Sequence, residues 1–256
     1  MADNFSRIYW FSGTGNSLYA AKRLSAEMGG VPLTQITDAA PEDAAGGAGA
    51  KVGFVFPSYY CNLPRAVKVF AERLEIKPDT YIFAVVTKGG MGSGSVGALD
   101  RVLKTRGLRL NYGKVVHMPA NYMINYNPAD GDRKAKALDK SDERLQVLAR
   151  EITARLQSVK SLPFTADKLF RDIEKLDAAF TVSDDCTGCG LCERICPVRN
   201  IRLENGKPAW LRHCEHCVAC ISWCPAKAIN YGNKTQNRRR YRNPRVKADE
   251  LTRQGE

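Results

Sequence analysis

No apolar stretch in the 256 residues approaches the ~20 needed to cross a bilayer. The polar opening from Met1 to Ser6 also lacks the basic and apolar regions of a secretory signal, so a cytoplasmic location is expected. Residues 1–185 contain a single cysteine, Cys61, and residues 233–247 contain no acidic side chain, so composition changes sharply along the chain. At 44% hydrophobic and 26% charged residues the chain is neither fibrous nor broadly disordered. Its length suits about two domains, each large enough to bury a core.

Arg7 to Phe11 is a short β-branched and aromatic run. A hydroxyl-rich loop, Ser12-Gly13-Thr14-Gly15-Asn16-Ser17, follows, then a helical stretch with Leu18, Ala21 and Leu24 on one face. Lys51–Phe56 and Tyr81–Thr87 are nearly continuous apolar runs, the mark of strands covered on both faces. Candidate helices at 65–74, 95–106 and 138–156 and a further strand at 111–117 complete an alternating β-α series. This predicts an α/β fold over residues 1–160, a doubly wound parallel sheet of five strands.

Ligands bind such sheets at the carboxyl ends of the strands, which directs attention to three loops. The first is glycine-bearing, leads into a helix N-terminus and adds the hydroxyls of Ser12, Thr14 and Ser17, a set suited to a phosphate. It matches neither the triphosphate loop nor the dinucleotide fingerprint. It resembles the first loop of flavodoxin-like domains, (T/S)-x-T-G-x-(T/S), which binds the phosphate of FMN. That resemblance implies FMN held by Ser12, Gly13, Thr14, Gly15, Asn16 and Ser17. It also implies that Pro57, Ser58, Tyr59, Tyr60 and Asn62, with Thr87, Lys88, Gly89 and Gly90, border the ring, Tyr59 or Tyr60 stacking on one face and Lys88 stabilising an anionic reduced form. Flavodoxins are generally acidic, whereas residues 1–155 hold 21 basic and 15 acidic side chains, so their docking surface is not carried over. The polar loop from Pro119 to Asp132 either covers the flavin or sits at a domain seam. Cys61 is assigned no role.

Eight cysteines lie between 186 and 224. Cys186, Cys189, Cys192 and Cys196 form C-x2-C-x2-C-x3-C-P, and Cys214, Cys217, Cys220 and Cys224 repeat it. Zinc sites rarely show this triplet spacing followed by Cys-Pro. Three such thiolates wrap one corner of a 4Fe-4S cube, while the fourth of each run serves the other cluster. One cluster is therefore expected on Cys186, Cys189, Cys192 and Cys224, and the second on Cys214, Cys217, Cys220 and Cys196. Between the runs, residues 201–211 read as a hairpin about Asn205-Gly206. Residues 184–232 thus form a small α+β two-cluster ferredoxin-like domain. His213 and His216 flank Cys214 and are left without a role.

Leu169, Ile173, Leu176 and Phe180 recur on one helical face, which predicts a docking helix in a linker spanning 161–183. Residues 233–256 form a basic C-terminal tail, with seven lysines and arginines between Asn233 and Lys247. With one aromatic, Tyr241, and no recognition fold, it is expected as a solvated arm or a dock for an acidic partner rather than a nucleic-acid binder.

A flavodoxin-like domain joined to a two-cluster ferredoxin resembles the prokaryotic EFR-type ferredoxins, over nearly the whole chain to Tyr231. FMN exchanges electrons singly or in pairs while each cluster passes one at a time, so the expected function is electron transfer between redox partner proteins. Oxygen-labile clusters fit an anaerobe. No His, Asp or Glu constellation marks the three loops for acid-base chemistry, which favours a carrier over the alternative, a flavin-dependent reductase of a small substrate.

Overall fold

The computed structural model describes residues 6–39, 46–90, 94–160 and 173–252. Strands β1 (Arg7–Trp10), β2 (Leu33–Gln35), β3 (Lys51–Pro57), β4 (Tyr81–Lys88), β5 (Leu110–His117) and β6 (Ser158–Val159) form one parallel sheet in the order β2-β1-β3-β4-β5-β6. The order reverses between β1 and β3, the topology of a flavodoxin-like doubly wound sheet. Six strands replace the expected five. The additional one, β6, is two residues long and pairs only with Tyr112 and Gly113, too short for any side-chain periodicity to announce it.

Burial explains the layers. β4 is buried along all but its last residue. Helices α1 (Asn16–Glu27) and α4 (Gly131–Thr153) cover one face, where Leu18, Leu24, Leu145 and Leu148 meet Ile8, Val55 and Phe83. Helices α2 (Arg65–Arg73) and α3 (Ser95–Lys104) cover the other, packing Val67, Phe70 and Leu99 on Phe54, Phe56 and Val86. In register, Pro57 lies beside Thr87, and Lys88 beside His117. The loops after β1, β3, β4 and β5 consequently emerge at one edge of the sheet.

The second module has two antiparallel pairs, β7 (Phe180–Val182) with β10 (Ile229–Tyr231) and β8 (Ile201–Glu204) with β9 (Lys207–Trp210). Short helices at Leu191–Arg194 and Ala219–Trp223 each carry the third cysteine of a triplet, Cys192 and Cys220. Asn205 and Gly206 turn the hairpin with φ of 49° and 77°, as a two-residue primed turn requires.

Two boundaries differ from expectation. Of the proposed docking helix, Leu169 lies outside the described residues, Ile173–Ala179 is a 3-10 helix, and Phe180 begins β7, its ring stacked on Trp210 at 5.2 Å. A sheet pairing overrides the helical spacing, and residues from Ile173 belong to the second module. The basic tail is not a solvated arm. Residues 233–252 run back over the first domain as a strap, burying Tyr241, Val246 and Leu251. Arg245 binds Asp142, Asp139 and the Tyr19 hydroxyl, and Lys22 pairs with Glu250. Of the tail's cations Arg245 finds carboxylates on α4, and Arg238 and Arg240 bond the Met123 and Ile229 carbonyls.

The modules share a core. Ile195, Ala219 and Trp223 join the α1/α4 cluster, and the Trp223 indole N–H donates to the Gly13 carbonyl at 3.1 Å. Glu215 is buried against the start of α2, where its carboxylate accepts from the backbone N–H groups of Arg65 (3.1 Å) and Ala66 (2.7 Å). Helix α2, which has no side-chain cap of its own, is thereby capped from the other module.

Candidate functional site

A cavity of about 250 Å³ opens where the carboxyl ends of the strands meet the second module. Ser12, Gly13, Thr14, Asn16 and Ser17 line it from the first loop, Pro57, Ser58, Tyr59 and Tyr60 from the second, and Thr87, Lys88, Gly89 and Gly90 from the third. Gly15 and Asn62 do not. Gly15, at φ 95°, turns the chain into α1 and faces Asn243 and Val246 of the strap. Asn62 closes a tight turn with Tyr59, and its side-chain oxygen accepts from the Leu63 N–H at 2.9 Å.

The first loop is held from several directions. Ser12 Oγ accepts from the Gly15 N–H at 3.2 Å, Ser17 and Thr87 share a hydroxyl bond of 2.7 Å, and Asn121 donates to Thr14. Each hydroxyl retains capacity for a further bond toward the cavity. Asn16 donates to the Pro119 carbonyl and receives Tyr241 (2.7 Å) and Asn243 (3.0 Å), while the Asn243 N–H donates to the Thr14 carbonyl at 2.9 Å. A polar loop at a helix N-terminus, stripped of side chain at Gly13, is a cradle that fits a phosphate.

The facing wall combines the polar loop singled out in the sequence with three residues that no local motif marked as cavity lining. His216, Cys217 and Val218 come from the second module, and Pro119, Asn121, Tyr122, Asn125 and Tyr126 from the loop after β5. That loop sits at the seam, since Met123 and Ile124 lie in the core of the second module, and it lines the cavity as well. The Tyr60 hydroxyl meets the Tyr122 hydroxyl at 2.6 Å and His216 Nδ1 at 2.7 Å, with Tyr122 at 2.8 Å from the same nitrogen. Burial pushes His216 down to about 4, so its imidazole is neutral at pH 7, and raises both phenols above their ordinary range. Tyr60, Cys61, His216 and Val218, all in the lining, have left-handed backbones with φ between 50° and 61°. Such strain, of order 1–3 kcal/mol per residue, persists where the surroundings over-determine the conformation. Cys61 therefore belongs to the cavity wall.

The eight cysteines ring two further cavities. Cys186, Cys189, Cys192 and Cys224 line one, and Cys196, Cys214, Cys217 and Cys220 the other, each drawing three from one run and the fourth from its repeat. Among the described residues no three His, Cys, Asp or Glu side chains converge on a single ion site. Tetrahedral zinc would hold its sulfurs at about 2.3 Å from one centre, whereas these sets stand round a space, as a multi-atom cluster needs. Burial raises Cys192 to about 11 and Cys214 to about 12, and holds Cys217 and Cys220 well above the ordinary thiol range. Cationic iron is what would draw those protons off. Backbone N–H groups of Asn200 and His216 already point at the sulfurs of Cys196 and Cys214, at 3.2 Å each. The first set is outer, with Cys189 exposed; three members of the second are buried.

Residues 185–229 match the family described as a 4Fe-4S dicluster domain, so this segment carries iron-sulfur clusters. No curated protein matches the chain. Among solved structures, a flavodoxin from Streptococcus pneumoniae TIGR4 is 18% identical, covering 59% of this chain and 99% of its own, at a TM-score of 0.41. The two-electron reduced flavodoxin of Megasphaera elsdenii is 14% identical, covering 54% of this chain and 98% of its own, at 0.37. An FMN-dependent NADH-azoreductase from Bacillus anthracis is 10% identical, covering 58% of this chain and 99% of its own, at 0.40. The strand order, not these likenesses, defines the fold.

Gly92-Ser93-Gly94-Ser95-Val96-Gly97, which runs into the first turn of α3, has the letters of a dinucleotide fingerprint. Gly92 and Ser93 lie outside the described residues, and β5, where the acidic ribose partner would be due, ends in His117 with no Asp or Glu.

Proposed function

We propose that the chain is an electron-transfer flavo-iron-sulfur protein in which two 4Fe-4S clusters relay single electrons to and from FMN in the loop-edge cavity. The observation that carries this reading is that Cys217 and Val218 line both that cavity and the inner cysteine cavity. A Cβ on Gly13 would lie 2.7 Å from the Cys217 carbonyl oxygen and 2.9 Å from its Cβ, so the phosphate loop and a cluster ligand touch only because Gly13 has no side chain. FMN supplies one- and two-electron chemistry when bound. The protein holds its phosphate at 12–17, borders its ring with the loops at 57–60 and 87–90, and excludes water on the side where Tyr60, Tyr122 and His216 meet. The outer cluster, at the exposed Cys189, exchanges electrons with a partner protein.

Freshly purified anaerobic protein should contain about eight iron and one FMN per chain, and dithionite should reduce clusters and flavin together. Iron content without flavin, or flavin that stays oxidised beside reduced clusters, would overturn the relay. Lys88→Ala should lower the flavin midpoint potential by removing a cation beside the reduced ring, as a redox titration would register. A second reading, a reductase of a small substrate, is favoured by the Tyr60 and Tyr122 hydroxyls, which put proton donors in the cavity wall. Rapid reoxidation of the reduced protein by one metabolite, slowed in Tyr122→Phe, would establish it. Reoxidation by carrier proteins alone would leave the relay as the whole function.

A further inference from the structure

A further cavity, larger than the one at the loop edge, belongs to neither the flavin site nor the cluster sites. It is an open groove of about 600 Å³ between α2 and the segment Pro197–Arg199. Val69, Phe70 and Val198 form its apolar floor, and Val69 is 43% exposed although the opposite face of α2 is buried. Arg65, Arg73 and Arg199 lie along it, drawn from both modules. The only carboxylate in the lining, Glu215, is turned inward onto the backbone N–H groups of α2 and faces the Arg65 guanidinium at 3.9 Å, so the groove's net positive charge comes from Arg73 and Arg199. An apolar centre with an arginine-bearing edge has the anatomy of a protein-protein contact.

The groove also has a place in the electron path. Pro197 directly follows the ligand Cys196, and His213 and Glu215, both in the lining, flank Cys214. A protein seated there would stand one residue from the inner cluster. The stretches around the outer set, 184–194, 202–207 and 225–227, hold four acids against four bases and offer no comparable field. On a chain of net charge +12 the groove would steer an anionic partner, whereas the outer face would not discriminate by sign.

We infer that the groove between α2 and Pro197–Arg199 is the docking surface of an acidic one-electron carrier protein, which exchanges electrons with the inner cluster directly. The inference rests on the relay proposed above. It makes the inner cluster a junction with three neighbours: the flavin cavity, the outer cluster and the groove. Each transfer is a single electron, lost by the reduced carrier's metal centre and gained by the inner cluster, with no bond made or broken.

The test uses holoprotein under anaerobic conditions, with a dithionite-reduced, net-negative bacterial ferredoxin as probe, freed of excess reductant. Stopped-flow absorbance follows reduction at about 30 mM and about 300 mM salt, where the Debye length falls from about 18 to about 6 Å. At low salt the double variant Arg73→Glu/Arg199→Glu should slow the second-order reaction about tenfold or more. High salt should bring the unsubstituted protein toward the variant's rate. Arg202→Glu/Lys227→Glu, beside the outer set, should leave the rate within about twofold. Dithionite alone should reduce all three proteins equally, which reports that fold and cofactors survive. If the outer pair carries the effect, or if neither pair nor salt matters, the docking assignment fails. It fails likewise if the groove variant changes only self-association in sedimentation, since the occupant is then a second copy. Failure of the relay itself would look different: in the unsubstituted protein dithionite would reduce clusters and leave flavin oxidised.

Discussion

Gly13→Ala is expected to cost the protein both its flavin and the iron of its inner cluster. The added methyl would fall 2.7 Å from the Cys217 carbonyl oxygen, 2.9 Å from its Cβ and 3.3 Å from its Sγ. The first two belong to atoms fixed by the backbone, and the third is a proposed iron ligand, so no flexible side-chain end can yield. Either the phosphate loop moves out of the cavity or the ligand run moves away from its cluster. Overpacking of this kind costs roughly 1–3 kcal/mol even without lost cofactors. FMN affinity should fall at least tenfold, about 1.4 kcal/mol, and anaerobic iron content should drop toward about four per chain. Flavin fluorescence titration and iron analysis would read both. A variant with full iron, full flavin and unchanged reduction by dithionite would show that this contact does not join the centres.

Truncation after Gly232 should be the most destabilising change that touches no proposed ligand. The strap contributes Tyr241, Val246 and Leu251, all buried, and at roughly 1.5–3 kcal/mol each their loss approaches 5 kcal/mol or more. For a chain of this size that lowers the unfolding midpoint by about 10–20 °C. The cradle suffers as well, because Asn16 loses the donors of Tyr241 and Asn243, and the Thr14 carbonyl loses the Asn243 N–H. Asn243→Ala separates the two effects. It should keep most of the melting temperature while weakening FMN binding several-fold. If the truncated chain melts within about 2 °C of the full one and keeps its flavin, the strap is ornamental.

How much of this was legible beforehand depended on range. The phosphate-type loop, the strands at Lys51 and Tyr81 and the hairpin at Asn205-Gly206 are local signals, and each appears where its residues announced it. The tail misled because charge was read without long-range partners: seven cations with no neighbouring acid in sequence look solvated, yet Arg245 meets Asp139 and Asp142 about 100 residues upstream on α4, and Tyr241, Val246 and Leu251 are buried. The helical spacing ending at Phe180 failed for a related reason. Pairing with β10, about fifty residues later, claims that segment for a sheet. His216 carried no signal as a cavity residue, because its two phenol partners lie on loops separated from it by 156 and 94 positions.

By itself the sequence determined the chemistry of each part, since cysteine spacing and a hydroxyl-glycine loop specify donor sets within a few residues. Only the tertiary structure decided that Gly13 touches Cys217, that the tail is a strap, and that an arginine-bearing groove opens beside the inner cysteines. Those relations depend on packing between segments one to two hundred residues apart, and burial sets such contacts through the whole core rather than through any local pattern of residues.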